Sequence, residues 1–415
     1  MSDQLTPPGA CLICGATLPR PFLDLGVTGI ANNLAPGKDA SRPDPAYPLR
    51  VCGCSGCGHV QLPERVPPEE MFDEYLYVSS ASSTLTAHLT GVAEALAARH
   101  QLAPGDLAVD IGSNDGSLLA AIGQRQPGAR LVGVDPAANL AAAARARGIT
   151  VETGYFNAAT AASLAARYGQ ARLITATNSF PHIPALDGYL QGIGTLLAPG
   201  GAFVVEAHYL GDLLAQNAFD TIYHEHVSYW ALGPLERLLG RHSLEVFDAE
   251  RLAVHHGQLR AWIGRRGEHP VSPAVARLRE QERQTALGEP ATLAAFARRA
   301  GELRHQLRET VAGLHAQGLR IAGYGAPAKA STLLAYCGFG PGDIAWIADR
   351  NGLKQGRATP GTRIPIVGPE AIERDRPDVL VLFAWNFAEE IMAQLDGFRR
   401  SGGRFLIPVP QVRLV

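Results

Sequence analysis

The stretch LAVDIGSNDGSLL (residues 107–119) decides the fold, because it joins an apolar strand to a helix through a glycine loop. The loop has the form D-x-G-x-x-x-G and runs from Asp110 through Gly112 to Gly116. A second apolar run, ARLVGVD (129–135), follows the helix. Strand, glycine turn, helix and strand together make a βαβ unit, so this segment predicts a parallel sheet.

The same alternation continues along the chain. LITATN (173–178) and GGAFVVEA (200–207) are predicted to be further strands of one doubly wound sheet. Ligands of such sheets bind at the carboxyl ends of the strands. We therefore expect a ligand site formed by these residues of the loop and the strand ends: Asp110, Gly112, Asn114, Gly116, Asp135 and Asn178.

The chemistry of the loop indicates the ligand. A dinucleotide site would prefer G-x-G-x-x-G, whose backbone can approach a pyrophosphate. An acid at Asp110 suits a cationic ligand with an amino-acid tail better, and Asp135 is placed to accept hydrogen bonds from a ribose diol. Together these features resemble the S-adenosylmethionine (SAM) loop of class I methyltransferases. A nicotinamide cofactor is the alternative.

The N-terminal region predicts a metal site. Of six cysteines, five fall within the first 57 residues, and CLIC (11–14) and CSGC (54–57) are each followed by glycine. Two C-x-x-C-G turns with four thiolates match tetrahedral structural zinc. The predicted ligands are Cys11, Cys14, Cys54 and Cys57, and Cys52 is expected to be a buried neighbour. Few Lys or Arg residues lie here, which argues against a nucleic-acid-binding ribbon.

Length and composition limit the class of protein. The 415 residues exceed one usual core, so two or three domains are expected. Hydrophobic residues make up 46%, charged residues 18%, and the net charge is −2, as in a globular protein without a nucleic-acid partner. The apolar runs are too short to cross a bilayer, and the N-terminal sequence does not resemble a signal peptide. We expect a cytoplasmic protein.

The C-terminal region predicts a second α/β unit. Apolar residues spaced by three and four indicate a long amphipathic helix over 293–314, which leads into the glycine loop GYGAPAK (323–329). The loop lacks the spacing of the Walker motif, but backbone amides at a helix start suit a diphosphate. The candidate nucleotide residues are Gly323, Gly325, Ala326, Lys329, Asp349 and Asn386. The alternative is a tight turn with a solvated Lys329.

A polar and aromatic cluster, TIYHEHVSYW (221–230), predicts acid/base chemistry. Imidazole is the natural base near neutral pH, so His226 is a candidate for that role, and ordinary packing of the cluster is the alternative. We expect His224 to be structural, and Tyr229 and Trp230 to be core residues. The pattern H-E-H is not H-E-x-x-H, so a catalytic metal is not predicted here.

With these motifs in place, the sequence resembles the bacterial deoxysugar C-methyltransferases, which act on nucleotide-linked keto sugars in antibiotic and cell-surface sugar pathways. The resemblance covers nearly the whole chain. Its stretches are the double C-x-x-C-G, YLYVSSASST (75–84), VDIGSNDGSLL (109–119), NSFPHI (178–183), FDTIYHEHVSYWAL (219–232) and IAGYGAPAKASTLL (321–334). Two positions depart from the family pattern, His208 and HHGQLR (255–260), and they leave the exact sugar open.

The resemblance implies an architecture and an activity. It implies a zinc-binding domain (1–75), a class I SAM methyltransferase domain (76–265) and a C-terminal Rossmann-like domain (266–415) that holds the nucleotide of the substrate. The implied reaction is methylation of a ring carbon of a nucleotide-linked 4-keto deoxysugar, and dTDP is the expected carrier. The implied catalytic residues are His226 as base, with Glu225, Tyr223, Tyr77 and His182.

The residues fit that chemistry, because a carbon beside a ketone becomes nucleophilic only after a base removes its proton. A tyrosine would donate to the enolate oxygen, and a carboxylate would orient the imidazole. The alternatives are an O- or N-methyltransferase, which has less need of a base, an NAD(P)-dependent oxidoreductase, and a zinc-ribbon interaction protein. The oligomeric state stays open.

Overall fold

A computed structural model describes residues 9–36, 44–72, 78–81, 83–254 and 257–415. The strands are β1 (Leu23–Gly29), β2 (Ala35–Pro36), β3 (Ala46–Gly53), β4 (Val60–Gln61), β5 (Leu107–Ile111), β6 (Arg130–Asp135), β7 (Thr150–Thr153), β8 (Ala171–Thr177), β9 (Leu197–His208), β10 (Ser228–Tyr229), β11 (Leu244–Leu252), β12 (Gln258–Arg265), β13 (Ile321–Tyr324), β14 (Ile347–Ala348), β15 (Arg357–Ala358), β16 (Ile366–Val367), β17 (Val379–Leu382), β18 (Arg404–Ile407) and β19 (Arg413–Leu414).

The α-helices of the described residues follow the same chain order. They are α1 (Glu69–Phe72), α2 (Ser83–Arg99), α3 (Ser117–Arg125), α4 (Ala138–Ala146), α5 (Ala158–Tyr168), α6 (Leu186–Leu196), α7 (Leu210–Ala215), α8 (Leu232–Gly240), α9 (Pro273–Gln284), α10 (Pro290–Ala316), α11 (Ala328–Cys337), α12 (Ala371–Asp375), α13 (Ala388–Gln394) and α14 (Asp396–Arg400).

The chain forms two compact units that are not continuous in sequence. The first comprises Met1–Pro19, Gly53–Asp212 and Val227–Glu289, and the second comprises Arg20–Cys52, Leu213–His226 and Pro290–Val415. Residues 213–226, which include residues 221–226 of the acid/base cluster, therefore belong to the same unit as the C-terminal region. The domain boundaries at 75/76 and 265/266 remain predictions from the sequence.

The first unit contains the sheet that the sequence predicts. Its described strands are ordered β11-β12-β9-β8-β5-β6-β7. The strands from β5 to β9 pair in parallel, whereas β12 pairs antiparallel with β9 and with β11. The predicted strands are thus parallel as expected, and β11 and β12 add an antiparallel edge that the sequence patterns did not include. There β11 and β12 run in opposite directions over eight paired positions, Leu244↔Arg265 to Leu252↔Gln258, with an irregularity between Val246 and Asp248.

Alternating side chains place apolar residues on both faces of this sheet. On β5, Leu107 and Val109 belong to one buried cluster and Ala108 to another. Val204 likewise belongs to the second cluster, whereas Phe203 belongs to the first. Because successive side chains of a strand point to opposite faces, this alternation requires a layer on each side. The layers hold the carboxyl ends of β5, β6 and β8 in register.

The second unit contains another mainly parallel sheet. Its described strands are ordered β16-β14-β13-β17-β18-β19, with only β19 antiparallel to its neighbour among the pairs described. The long helix α10 extends the predicted 293–314 at both ends. All seven apolar positions that predicted it are buried: Leu293, Phe296, Ala300, Leu303, Leu307, Val311 and Leu314. The regular spacing explains why this prediction succeeds.

Two further features concern expectations from the sequence. The sequence offers two candidate linkers, the proline-rich stretch 62–70 and residues 266–290, and the second contains a helix, α9, whose side chains Val275 and Leu278 are buried. Ser272 caps that helix by accepting a hydrogen bond from the amide of Ala274 at 3.2 Å. Across the described ranges, no helix combines the length and the apolar character that crossing a bilayer demands.

Candidate active site and metal centre

A cavity of about 370 Å³ lies at the carboxyl edge of the first sheet. Glycine-loop residues, strand ends and the start of helical segments form its walls. The lining residues important below are Phe72, Gly112, Asn114, Asp135, Asn178, Ser179 and His182. This is the position at which a doubly wound sheet binds its ligand. Four of the six residues predicted for the SAM site line the cavity, namely Gly112, Asn114, Asp135 and Asn178.

The loop after β5 needs its glycine. Gly112 has φ of +79°, and a Cβ added there would lie 2.5 Å from the Cβ of Ser179. A distance below 3.0 Å forces the loop or Ser179 to move. Asn114 and Asn178 also have positive φ, at 51° and 57°, a region that asparagine tolerates better than most residues. The backbone therefore closes tightly around this end of the cavity.

Asp135 holds the loop in place. Its two carboxylate oxygens accept hydrogen bonds from the amides of Asn114 and Ala137, both at 2.8 Å. Burial raises the pKa of Asp135, and these two amides oppose the rise. Each carboxylate oxygen has a second lone pair. Asp135 can therefore fix the loop and still accept from a diol in the cavity.

Asp110 and Gly116 are not among the described lining residues. Asp110 accepts a hydrogen bond from the hydroxyl of Thr175 at 2.7 Å. Burial raises the pKa of Asp110 to about 7 and is the largest cause of this shift. The negative charge of Asp135 raises the pKa further. Gly116 has φ of +75° and lies against Ala144, where an added Cβ would be at 3.1 Å. Both residues shape the loop from behind the cavity.

His182 lines the same cavity. Its ring stacks on Phe72 with centroids 5.3 Å apart and an interplanar angle of 18°. Burial lowers the pKa of His182 to about 3, so the imidazole is neutral near pH 7. A neutral ring in this place can donate or accept one hydrogen bond without adding charge. Tyr77, the other predicted residue from this part of the sequence, lies outside the described residues.

The four predicted zinc ligands come together in the first unit. The thiol sulfurs of Cys11, Cys14, Cys54 and Cys57 all lie within 4.8 Å of one another. The Sγ atoms of Cys11 and Cys57 are 3.5 Å apart, as are those of Cys14 and Cys54. Zinc–sulfur bonds of about 2.3 Å in a tetrahedron place the sulfurs roughly 3.8 Å apart. The cluster therefore fits structural zinc, whose four positions the protein fills.

Residues 221–226 of the acid/base cluster, which include Tyr223, Glu225 and His226, lie in the second unit. The Nδ1 atom of His226 is 2.9 Å from the carbonyl oxygen of Thr221. A carbonyl only accepts, so Nδ1 carries the proton and the lone pair of the neutral imidazole is on Nε2. The ring of Tyr223 packs against the imidazole with centroids 4.0 Å apart. A backbone carbonyl thus makes the orienting contact that the sequence assigned to a carboxylate.

Glu225 has a different partner. Its carboxylate accepts from the side-chain amide of Asn32 at 2.7 Å and from the backbone amide of Asn32 at 3.3 Å. Burial, opposed by these donors, raises the pKa of Glu225 to about 7. His224 lies within 3.3 Å of the carbonyl oxygen of Pro48, a contact suited to the structural role expected for it. The neighbouring side chains of Glu225 and His226 therefore have different hydrogen-bond partners, Asn32 and the carbonyl of Thr221.

The carboxylate of Asp349 holds the second glycine loop, residues 323–329, in place. Gly325 has φ of +78°, and the carboxylate of Asp349 accepts from the amide of Ala326 at 2.7 Å. Lys354 donates to the carbonyl of Ala326 at 2.7 Å and lies 3.9 Å from Asp349. At Gly323 an added Cβ would lie 2.6 Å from the ring of Phe383. The loop is therefore held by hydrogen bonds and close packing within the protein.

Lys329 is buried at the start of α11. Its ammonium donates to the side-chain oxygen of Asn386 at 2.7 Å and lies 4.1 Å from the centre of the Trp385 ring. Burial lowers the pKa of Lys329 to about 8, and the negative charge of Asp220 opposes that shift. The solvated Lys329 of the alternative interpretation is therefore wrong.

Sequence reasoning missed several partners of these residues. Asn32 lies 193 positions from Glu225, and no local pattern links the two. Tyr155 and Phe156 line the cavity beside Gly154. They follow the carboxyl end of β7, so the rule that ligands bind at strand ends points to them.

Comparisons with known proteins match each part of the chain. Residues 11–72 match the family model described as a putative zinc binding domain, 89–248 that of a methyltransferase domain, and 253–410 that of a C-methyltransferase C-terminal domain. The C-methyltransferase NovU of Streptomyces niveus is 40% identical over 416 residues, which cover 100% of this chain and 99% of that protein.

Solved structures resemble a smaller part of the chain. A magnesium protoporphyrin IX methyltransferase from Synechocystis, with bound S-adenosylhomocysteine, is 16% identical over 44% of this chain and 83% of its own, with a TM-score of 0.34. A ribosomal protein L11 methylase from Lactobacillus delbrueckii is 18% identical over 44% of this chain and 79% of its own, with a TM-score of 0.30.

Proposed function

Because the chain belongs to the C-methyltransferase family and is a SAM-dependent methyltransferase with a four-cysteine zinc site, we propose that it methylates a ring carbon of a nucleotide-linked 4-keto deoxysugar. The observation that carries the proposal is the fixed tautomer of His226, whose Nδ1 donates to the carbonyl of Thr221. In this tautomer the basic nitrogen is Nε2. A base of this kind is what carbon methylation beside a ketone requires.

His226 removes the proton from the carbon beside the ketone. The carbonyl of Thr221 keeps the imidazole in the reactive tautomer and stabilises the charge that forms when Nε2 takes the proton. General base catalysis of this type contributes about 10²–10⁴-fold. Tyr223, packed on the imidazole, and Tyr77 are the proposed donors to the enolate oxygen, and His182 and Glu225 complete the proposed catalytic set.

The cavity of the first unit is the proposed SAM site. Asp135 accepts from the ribose hydroxyls with the lone pairs that the amides of Asn114 and Ala137 leave. Gly112 gives the backbone close approach, and Asn114 and Asn178 supply polar edges. Asp110 and Gly116 support the loop from behind. Bound SAM supplies the electrophilic methyl group.

The second glycine loop is the proposed nucleotide site. The turn at Gly325 ends where the ten-residue helix α11 begins, and a helix start favours anions. Lys329 adds positive charge at this end, and Asn386 fixes the ammonium. Gly323 and Ala326 shape the loop, and Asp349 locks it. These contacts support a diphosphate, and dTDP is the proposed carrier.

Solvent deuterium exchange tests the proposed base. A dTDP-linked 4-keto-6-deoxy sugar is incubated with the enzyme in D₂O without SAM, and NMR follows the signal of the proton beside the ketone. We expect the wild-type enzyme to exchange this proton and the His226→Asn variant to lose the exchange by about 10²-fold or more. An O- or N-methyltransferase would not exchange it.

A matched histidine controls for folding. His224 is also buried but contacts the carbonyl of Pro48, so His224→Asn is expected to keep the exchange. Exchange that persists at the wild-type rate in a folded His226→Asn enzyme would remove His226 from the mechanism. Wild-type enzyme that methylates without any exchange in the absence of SAM would instead mean that proton removal requires bound SAM, contrary to the proposal.

A further inference from the structure

Three successive backbone carbonyl groups of the acid/base cluster, those of residues 221–223, accept hydrogen bonds, and two of these bonds come from His226. The carbonyl of Thr221 accepts from Nδ1 of His226, and that of Tyr223 accepts from its backbone amide, both at 2.9 Å. The carbonyl between them, that of Ile222, accepts from the hydroxyl of Thr332 at 2.7 Å. Thr332 lies on α11, the helix that follows the second glycine loop. Its hydroxyl thus holds the peptide group between the two carbonyls that contact His226.

The direction of the Thr332 hydroxyl is unusual for a helix. Thr90, Thr195 and Thr310, on other helices, donate back to the carbonyl four residues earlier. That contact is the local option for threonine in a helix. Thr332 instead donates to a residue 110 positions away and is 2% exposed. The buried hydroxyl therefore stabilises the backbone at Ile222 rather than its own helix.

A second contact holds the residue just before Thr221. Asp220 is fully buried, and its Oδ2 atom accepts from the indole nitrogen of Trp385 at 2.6 Å. Burial raises the pKa of Asp220, whereas the positive charge of Lys329 and the indole donor oppose the rise. Asp220 and Ile222 thus flank Thr221 and are both bound to the C-terminal α/β region of the same unit.

We propose that Thr332 and Asp220 are positioning residues for His226. Thr332 acts through the carbonyl of Ile222, and Asp220 acts through Trp385. Together they keep the carbonyl of Thr221 where it holds Nδ1. The proposal rests on the proposed role of His226 as base. Their effect on the reaction runs through the backbone of residues 220–222, which both residues contact or belong to.

The experiment compares Thr332→Val with Thr332→Ser. Valine has nearly the same shape but no donor, whereas serine keeps the hydroxyl. With SAM and the dTDP-linked 4-keto sugar as substrates, we expect Thr332→Val to lower kcat and the deuterium exchange rate roughly tenfold, with KM for SAM unchanged. Thr332→Ser is expected to remain within about threefold of wild type, because the hydrogen bond is retained.

A second pair of variants tests Asp220 in the same assays. Asp220→Asn keeps an acceptor for the indole, and Asp220→Leu removes it. We expect the asparagine variant to stay within about threefold of the wild-type kcat and the leucine variant to lose roughly tenfold. Equal losses in both variants would overturn the role of the indole contact.

A spectroscopic measurement distinguishes a failure of the positioning role from a failure of the assignment of His226 as base. Proton–nitrogen correlation spectra of enzyme with ¹⁵N-labelled histidine report which ring nitrogen carries the proton, and His226→Asn identifies the signal. We expect the Nδ1–H form of His226 in wild type and Thr332→Ser, and a mixture of tautomers in Thr332→Val. An unchanged signal and an unchanged exchange rate in Thr332→Val would overturn the positioning role, even where His226→Asn abolishes exchange. If His226→Asn keeps the exchange, the base assignment fails, and the tautomer signal alone decides the positioning.

Discussion

The carboxylate of Glu225 is bound on both oxygens by a single residue, Asn32. The side-chain amide donates to Oε2 at 2.7 Å and the backbone amide to Oε1 at 3.3 Å. These two neutral donors only partly offset the cost of burial, because Glu225 is 1% exposed. The pKa of Glu225 is therefore raised from its ordinary value of 4.5 to about 7.

This shift predicts a pH dependence of stability. Because the pKa of Glu225 is higher in the folded state, its contribution to the free energy of unfolding is present below pH 4.5 and is lost as pH rises through about 7. The Glu225→Gln variant does not titrate there. Its stability relative to wild type should therefore rise between pH 5 and pH 8, by at most about 3 kcal/mol.

Urea unfolding at several pH values measures this difference. Glu302→Gln, an exposed change on α10, controls for the loss of one negative charge. The groups common to both proteins cancel in the comparison. A Glu225→Gln difference that stays flat from pH 5 to pH 8 would mean that Glu225 is ionised throughout this range.

A glycine substitution tests the SAM cavity. Gly112→Ala places a Cβ 2.5 Å from Ser179 in a loop with φ of +79°. We expect SAM affinity, measured by calorimetry, to fall at least about tenfold, since the loop must move. Gly148→Ala is the control, because Gly148 has φ of +80° but meets nothing within 4 Å. It should cost about 1 kcal/mol of stability through strain and leave SAM affinity unchanged. Equal SAM affinities in the two variants would argue against the cavity as the SAM site.

Neighbouring cysteines test the zinc site. Cys54→Ser removes one of four sulfur ligands, so bound zinc, measured by mass spectrometry, should fall from about one per chain to nearly none. Cys52→Ser changes a buried cysteine outside the cluster and should keep the zinc. Because structural zinc contributes folding free energy, the Cys54→Ser variant should also melt at a lower temperature. Zinc loss from both variants alike would contradict the assignment of four ligands.

The sequence predicts the sheet because its signals are local. The apolar run of β5, its glycine loop and Asp135 lie within 29 consecutive residues, 107–135, and their order alone specifies the βαβ unit. The antiparallel edge is different, because only residues 253–257 separate β11 from β12, too few for a βαβ crossover, and the register shifts between Val246 and Asp248. That shift breaks the alternation by which a strand is recognised.

The candidate site is only partly encoded by local patterns. Each C-x-x-C turn brings two ligands together by itself, so the cysteine cluster is predictable. The partners of the acid/base cluster are not predictable in this way. Asn32 lies 193 residues from Glu225, and Thr332 lies 110 residues from Ile222. Hydrogen bonds at that separation follow from the packing of whole elements, which single-sequence patterns do not describe.

The nucleotide site yields a pH test of Lys329. Burial lowers the pKa of Lys329 to about 8, so its positive charge is present below this pH and is lost above it. If the ammonium attracts the diphosphate, the affinity for dTDP should fall as pH rises through about 8. Lys329→Met should bind dTDP roughly tenfold more weakly at pH 7 and lose this pH step, because charged hydrogen bonds are strong. The matched change Lys354→Met removes another ammonium, which belongs to a partly buried side chain and is bound to the carbonyl of Ala326, and should keep the step. A step near pH 8 that survives in Lys329→Met would place the phosphate elsewhere.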